Sequence, residues 1–155
     1  MSDTPIPISA TTEMAAGPDR VWDVVSDLRR MPRFSPELRA VVLLGHRNGL
    51  GQLLLGINRR GPVAWPTTSR VVRWEPGRAI AWRTRESGAT WVYEIEPVDV
   101  DGRPGSRVTA RRELPAYTVA SRLMTPLLGG AAGHDRELAH GLAATLARMK
   151  QVVEA

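Results

Sequence analysis

The apolar pattern of the C-terminal segment most constrains what this chain can fold into. Between Gly133 and Val153, apolar residues recur three or four positions apart, and polar residues occupy the opposite face. This spacing predicts one amphipathic helix with a single apolar stripe. The stripe consists of Leu138, Leu142, Leu146, Met149 and Val153, and the polar face of Glu137, His140, Arg148 and Gln151.

A stripe of that length needs a broad apolar partner. The only candidate is the segment from about Arg39 to Glu113, which has the pattern of strands and turns throughout. The sequence therefore predicts an α+β fold in which a curved antiparallel sheet of about six to seven strands wraps around the long C-terminal helix. Such an arrangement tends to enclose a cavity.

Composition limits the class of protein. The chain has 155 residues and no cysteine, which fits one domain, residues 1–155, with its own core. Without cysteine, disulfides, thiol nucleophiles and thiolate metal sites are excluded. The three histidines, His46, His134 and His140, do not have the spacing of metal ligands. We therefore expect neither a metal nor a cofactor.

Neither the charge nor the apolar segments predict a nucleic-acid or membrane partner. All basic residues except Lys150 are arginines, but they are dispersed among carboxylates rather than clustered on one face. The N-terminus, MSDTPIPISATTEM, lacks the pattern of a secretory signal, and the most apolar stretch, Ala116 to Ala132, is interrupted by Arg122, Pro126 and glycines. We expect a cytoplasmic protein, and the sequence leaves its oligomeric partners open.

The N-terminal part of the chain predicts one strand and two short helices. Apolar residues alternate from Ile6 to Met14, as in a half-buried strand. Gly17-Pro18-Asp19 then predicts a helix start, because proline and an acidic residue both suit a first helical turn. The apolar face of this helix is Val21, Val24, Val25 and Leu28. A second helical piece, Arg29 to Phe34, should stop before Ser35-Pro36.

The middle of the chain predicts an antiparallel meander. Its strands are Ala40–Leu44, Gln52–Asn58, Thr67–Trp74, Ala79–Arg85, Thr90–Glu96 and Arg107–Glu113. Turn signals separate them at His46-Arg47-Asn48-Gly49, Glu75-Pro76-Gly77-Arg78, Ser87-Gly88, Asp101-Gly102 and Pro104-Gly105. Asn58 to Pro66 is predicted as a loop, and Gly56 marks a bend or a close backbone approach.

One face of the predicted hairpin around Ser87-Gly88 is rich in aromatic residues. A two-residue loop there would pair Trp82 with Tyr93, Thr84 with Trp91 and Ile80 with Ile95, all on the side facing the helix. The solvent side would carry Ala81, Arg83, Arg85, Thr90, Val92, Glu94 and Glu96. Tryptophan and tyrosine combine an apolar body with a hydrogen-bonding group, which suits a ligand pocket. Pocket lining and plain packing stay open for Trp82, Trp91 and Tyr93, whereas Trp22, Trp65 and Trp74 are expected to seal edges.

Three stretches of the chain carry a resemblance to a known superfamily. They are Gly17–Leu28 continued by Met31–Glu37, Arg70–Arg78, and Gly141–Leu146. Together with the order of elements, they resemble the START/polyketide-cyclase (SRPBCC) superfamily, which has the helix-grip fold. The resemblance implies a hydrophobic cavity between sheet and helix, open near the short helix pair. It also implies one of two functions: binding, sequestration or transport of a lipid, polyketide or polycyclic natural product, or cyclisation of a poly-β-ketone chain by a cyclase or aromatase.

The candidate site residues follow from the inward face of this arrangement. The sequence has no Gly-rich phosphate loop, Gly-x-Ser-x-Gly elbow or His-Glu-x-x-His motif, and no obvious acid–base pair at inward positions, so we favour a binder over an enzyme. Arg73 and Arg112 are expected to reach inward, where each would need an acidic ligand, unless it pairs with a carboxylate or reaches solvent. His134 lies one turn before Leu138, either facing the cavity or solvated at the helix start. The predicted ligand-binding residues are Phe34, Arg73, Trp82, Trp91, Tyr93, Arg112, His134, Leu138 and Leu142.

Overall fold

An antiparallel sheet and a long C-terminal helix make up most of the fold, as the sequence predicts. The computed structural model describes residues 5, 7–45, 49–118, 122–123, 126 and 131–155. The seven strands follow the order β1-β7-β6-β5-β4-β3-β2 across the sheet, and each neighbouring pair is antiparallel. They are β1 (Ile8–Met14), β2 (Leu38–Leu44), β3 (Leu53–Arg60), β4 (Val63–Glu75), β5 (Ala79–Thr84), β6 (Thr90–Val100) and β7 (Arg103–Glu113).

Two short helices connect β1 to β2. Helix α1 (Pro18–Val25) begins at the predicted proline, with Asp19 in its first turn, and buries Val21, Val24 and Val25. A 3₁₀ turn (Leu28–Arg30) leads into α2 (Met31–Phe34). The α2 helix ends at Ser35, whose backbone is extended because the next residue is proline. The predicted helix pair is confirmed.

The C-terminal helix α3 (Ala131–Glu154) has two halves with different surroundings. Leu146, Met149 and Val153 are buried in the hydrophobic core, so the predicted stripe is confirmed. The helix packs mainly against β1, with smaller contacts to α1 and α2, so the expectation that the segment from Arg39 to Glu113 is its partner is wrong. The N-terminal half lies over β3 to β7 but is separated from these strands by an open space. Because this half makes few contacts with the sheet, β1 is the main partner of the helix.

Several strands are longer than predicted and contain prolines. The predicted loop from Asn58 to Pro66 is wrong: β3 and β4 are joined at Gly61, which has a φ of 58°. Pro66 pairs with Ile57 in a part of β4 that β5 does not reach. Pro97 and Pro104 lie in the β6–β7 ribbon beyond the last pairs with β5 and β1. A missing N–H is tolerated at such positions, where no second strand needs it.

The β5–β6 hairpin has a different register from the predicted one. Trp82 pairs with Trp91, and Ile80 pairs with Tyr93, a displacement of two residues from the predicted partners. A shift of two residues keeps every side chain on its own face of the sheet, since side chains alternate with a period of two. The predicted division between an inner and an outer face therefore holds although the pairs do not.

The outer face of these strands is less solvated than predicted. Ala81 and Val92 pair with each other and are buried. Arg73 and Arg111 flank them in the same cross-strand row and both form ion pairs with Glu94.

Three sequence predictions fall outside the described residues. They concern Ile6, the turn at His46-Arg47-Asn48, and much of the apolar stretch between residues 116 and 132.

Candidate functional site

A cavity of about 690 Å³ lies between the N-terminal half of α3 and the inner face of the sheet. Strands β2 to β7, α2 and the connection that follows it all contribute to its lining. This volume is within the range of pockets that hold drug-sized molecules, about 300–1,000 Å³. The cavity implied by the family resemblance is therefore present.

Aromatic side chains form one wall of the cavity. The rings of Trp82 and Tyr93 stack, with centroids 5.5 Å apart and planes 16° from parallel. Trp91 lies beside Trp82 on the adjacent strand, and Trp65 on β4 also lines the cavity. Tyr93 is almost completely buried, and this burial raises the pKa of its phenol. The phenol therefore keeps its proton, and can donate it in a hydrogen bond, at neutral pH.

Gly56 brings β3 close to its neighbours at the cavity floor. A Cβ atom at this position would lie 2.8 Å from the Thr67 Oγ1 atom and 3.1 Å from the Leu38 Cδ1 atom. Thr67 Oγ1 is itself held, because it accepts a hydrogen bond of 3.0 Å from the Asn58 side-chain amide. The predicted close approach at Gly56 is confirmed.

A buried polar cluster lies at the cavity wall, between β7 and the start of α3. The Arg112 Nη1 group donates to Asp135 Oδ1 at 2.8 Å, and the Tyr117 hydroxyl donates to Asp135 Oδ2 at 2.5 Å. The side chains of Arg112 and Asp135 are only 4% and 3% exposed. Removal from solvent, followed by the hydrogen bond to Asp135, raises the pKa of Tyr117 to about 12. Both carboxylate oxygens of Asp135 thus accept hydrogen bonds, and its charge is balanced by Arg112.

The mouth of the cavity lies where the α2–β2 connection, the β3–β4 turn and the start of α3 meet. The exposed lining residues are found there: Pro36, Arg39, Arg59, Gly61, Pro66 and Glu137.

One ion pair and one contact of a histidine with a carboxylate connect the elements around the mouth. The Arg60 Nη2 and Glu137 Oε1 atoms are 2.8 Å apart, and the His134 Nε2 and Glu37 Oε1 atoms are 3.3 Å apart. The His134 ring also meets the edge of Trp65, with centroids 6.2 Å apart. These contacts link α3 to β3 and to the α2–β2 connection.

Most of the predicted ligand-binding residues line the cavity, but Phe34 and Arg73 do not. Phe34 is buried in the hydrophobic core. A bulge between Val71 and Arg73 turns Arg73 to the outer face, so the expectation that it reaches inward is wrong. There it pairs with Glu75 and Glu94. The predicted residues at the cavity are Trp82, Trp91, Tyr93, Arg112, His134, Leu138 and Leu142, and their role in ligand binding stays a prediction.

The sequence analysis missed three residues of the cavity. The expectation of no acid–base pair at inward positions is wrong, because Asp135 and Tyr117 are in contact there. Asp135 precedes Leu138 by three positions, so helical spacing alone places it on the apolar face. Trp65 lines the cavity instead of sealing an edge, because β4 extends through the predicted loop. Trp22 and Trp74, by contrast, pack edge to face away from the cavity, as expected for edge-sealing residues.

Two further properties bear on the class of site. In the described ranges, no helix is both long and apolar enough to span a membrane. Over the same part of the chain, no three His, Cys, Asp or Glu side chains lie close enough together to hold a metal ion.

The sequence of residues 5–154 matches a protein family described as polyketide cyclase / dehydrase and lipid transport. The chain belongs to this family. No curated protein sequence matches it.

Solved structures of low sequence identity share the fold. The KanY protein is 16% identical, with a TM-score of 0.73 and complete coverage of both chains. Norcoclaurine synthase from Thalictrum flavum, a point mutant in complex with a transition-state analogue, is 17% identical with a TM-score of 0.68, over 99% of this chain and 97% of the other. The di-domain ARO/CYC protein StfQ from the steffimycin biosynthetic pathway is 18% identical with a TM-score of 0.70. That match covers 98% of this chain, which spans 50% of the length of StfQ.

Proposed function

We propose that this family member binds a hydrophobic small molecule in the cavity beneath α3 and sequesters or transports it. A lipid, a polyketide or a polycyclic natural product fits this description. The family description, which names both polyketide cyclases and lipid transport, supports this range of ligands.

The observation that carries the proposal is the cavity itself, together with the pairing of its buried charges. Its wall is built from apolar and aromatic side chains, including Leu138, Leu142 and Trp82. The buried charges at this wall, Arg112 and Asp135, neutralise each other. A concave space whose lining surface is predominantly apolar is typical of a ligand-binding site.

The direct test is native mass spectrometry of the protein purified from the organism that encodes it. We expect a co-purifying small molecule that is released on denaturation. Thr145→Phe should reduce its occupancy, because Thr145 lines the cavity and a larger side chain there would fill part of the space. The Thr145 hydroxyl donates to the Gly141 carbonyl within α3, so its removal leaves the other cavity residues their hydrogen bonds.

His140→Phe is the matched control, because it places the same ring on the exposed face of α3. Its occupancy should equal that of the wild-type protein. A wild-type protein that carries no small molecule and does not retain added 9-fluorenone or palmitate would contradict the proposal.

The buried cluster favours one alternative function, a polyketide cyclase. In an intramolecular aldol condensation, a methylene group between two ketones loses a proton, its carbon bonds to a third carbonyl carbon, and the oxygen of that carbonyl gains a proton before water leaves. In such a reaction the Tyr117 hydroxyl would exchange its hydrogen bond to Asp135 for one to that carbonyl oxygen and donate its proton there, and the released Asp135 oxygen would accept the methylene proton and return it to Tyr117. Binding alone remains the better-supported function, since both oxygens of Asp135 already accept hydrogen bonds, from Arg112 and from Tyr117.

Incubation with a synthetic poly-β-ketone distinguishes the two functions. A cyclase would form a cyclised product faster than buffer does, and Tyr117→Phe would slow that reaction while 9-fluorenone is still retained. If the wild-type protein forms product no faster than buffer, the cyclase function is wrong and the binding function is unaffected.

A further inference from the structure

The Tyr93 hydroxyl is a buried hydrogen-bond donor that the protein itself does not use. Tyr93 is 3% exposed and lines the cavity. Across the described residues, this hydroxyl has no hydrogen-bond partner. Its oxygen atom nevertheless keeps some accessible surface, because it is not among the completely buried polar atoms. It must therefore keep contact with the open space of the cavity. An unused donor in such a position is costly unless a ligand or solvent accepts its hydrogen bond.

The surface beside this hydroxyl is flat and aromatic. Trp82 stacks on the Tyr93 ring, and Trp91 lies next to Trp82. The indole N–H groups of both tryptophans make no hydrogen bond within the described part of the chain. Aromatic rings stack favourably in offset, near-parallel geometry, so this wall suits a planar ring system better than a flexible alkyl chain.

The arginines that line the cavity are poorly placed for an anionic ligand. Arg112 is paired with Asp135, and Arg60 is paired with Glu137. The remaining lining arginines, Arg39 and Arg59, are near the mouth, and Arg59 donates to the Gly61 carbonyl. A carboxylate carried to the aromatic wall would lose its solvent without gaining a free cation, which is unfavourable.

We propose that the cavity selects a neutral, planar ring system that accepts a hydrogen bond from Tyr93 and packs against Trp82. The ligand chemistry is that of an aromatic ketone or quinone, not of a fatty acid. This inference rests on the proposed binding function and narrows its ligand class.

Three probes of matched shape test the inference by equilibrium dialysis against the full chain. They are 9-fluorenone, which carries one carbonyl acceptor, fluorene, which carries none, and fluorene-2-carboxylate, whose charged group lies in the ring plane. We expect Tyr93→Phe to weaken 9-fluorenone binding about two- to tenfold, the effect of one neutral hydrogen bond. The same variant should change fluorene binding by less than about twofold, because that probe has no acceptor. The carboxylate should bind at least about tenfold more weakly than 9-fluorenone.

Trp74→Phe is the matched aromatic control, because Trp74 packs against Trp22 and does not line the cavity. It should leave the binding of all three probes unchanged. Equal losses for 9-fluorenone and fluorene in Tyr93→Phe, or tightest binding of the carboxylate, would overturn the inference while leaving the binding function intact. If the wild-type protein retains none of the probes and no palmitate, the proposed binding function fails as well.

Discussion

Arg73 and Arg112 are alike in residue type and in predicted orientation, but the structure gives them opposite environments. Arg112 is buried at the cavity and paired with Asp135. Arg73 lies on the outer face, 38% exposed, between Glu75 and Glu94. The difference comes from one bulge next to Arg73, which reverses the side-chain alternation of β4. The alternation of apolar and polar residues in the sequence cannot locate such a bulge, because the inserted residue does not visibly change that alternation.

These two environments predict different costs of mutation. Arg112→Ala should lower the free energy of unfolding by about 3–5 kcal/mol, because it leaves Asp135 buried without its counter-charge. Arg73→Ala, the matched control, should cost about 1 kcal/mol or less, the usual value for exposed ion pairs. Denaturant unfolding of both variants measures the difference. Equal losses in the two variants would show that the Arg112–Asp135 pair is not buried.

The tyrosines supply a second residue-level prediction. The chain has two tyrosines, and the pKa of each is raised, that of Tyr117 to about 12. An unfolded tyrosine ionises near about pH 10. Both groups therefore contribute to the free energy of unfolding below that pH, and this stabilisation is lost as the pH rises from about 10 to 12. At about pH 11, the folded protein should therefore show little tyrosinate absorbance and the denatured protein should show the signal of two ionised tyrosines. Full ionisation while the far-UV circular dichroism stays native would contradict the burial of Tyr93.

At the level of elements, the sequence defined the strands and helices better than it defined their ends. The α1 start at Pro18 and the stripe on α3 are both where the pattern predicts them. The β3–β4 and β6–β7 connections are tighter than predicted, since Pro66 and Pro104 lie inside strands. Proline breaks a strand only where a neighbouring strand needs its N–H, and that depends on sheet topology rather than on local sequence.

Burial predicts that leucine truncation is costly in the C-terminal half of α3 and not at an exposed leucine outside this helix. Leu146 is 1% exposed in the half that packs on the core. Leu146→Ala should lower the free energy of unfolding by about 2–5 kcal/mol, the usual range for a buried leucine. Leu123 is 74% exposed, so Leu123→Ala should change it by less than about 0.5 kcal/mol. A loss of less than about 0.5 kcal/mol in Leu146→Ala would mean that the helix does not pack as described.

At the scale of the whole molecule, the fold and the inner face of the sheet follow from the sequence, whereas the open cavity does not. The residues of the inner face were predicted correctly although the strand pairing differs by two residues, because such a difference leaves Trp82 and Tyr93 on the same face of the sheet. A filled core and a hollow one have the same apolar pattern, so only three-dimensional packing distinguishes them. The cluster of Arg112, Tyr117 and Asp135 could not be predicted either, because its residues come from three separate segments of the chain.

The most direct test of the central claim, that a ligand binds between α3 and the aromatic wall, uses the five tryptophans as internal probes. The indole ¹H–¹⁵N NMR signals are recorded with and without 9-fluorenone and assigned with single Trp→Phe variants. Trp65, Trp82 and Trp91 line the cavity, whereas Trp22 and Trp74 pack against each other elsewhere. We predict that the first three signals shift on saturation and that the other two do not. Shifts confined to Trp22 and Trp74, or no shift at all, would contradict the account.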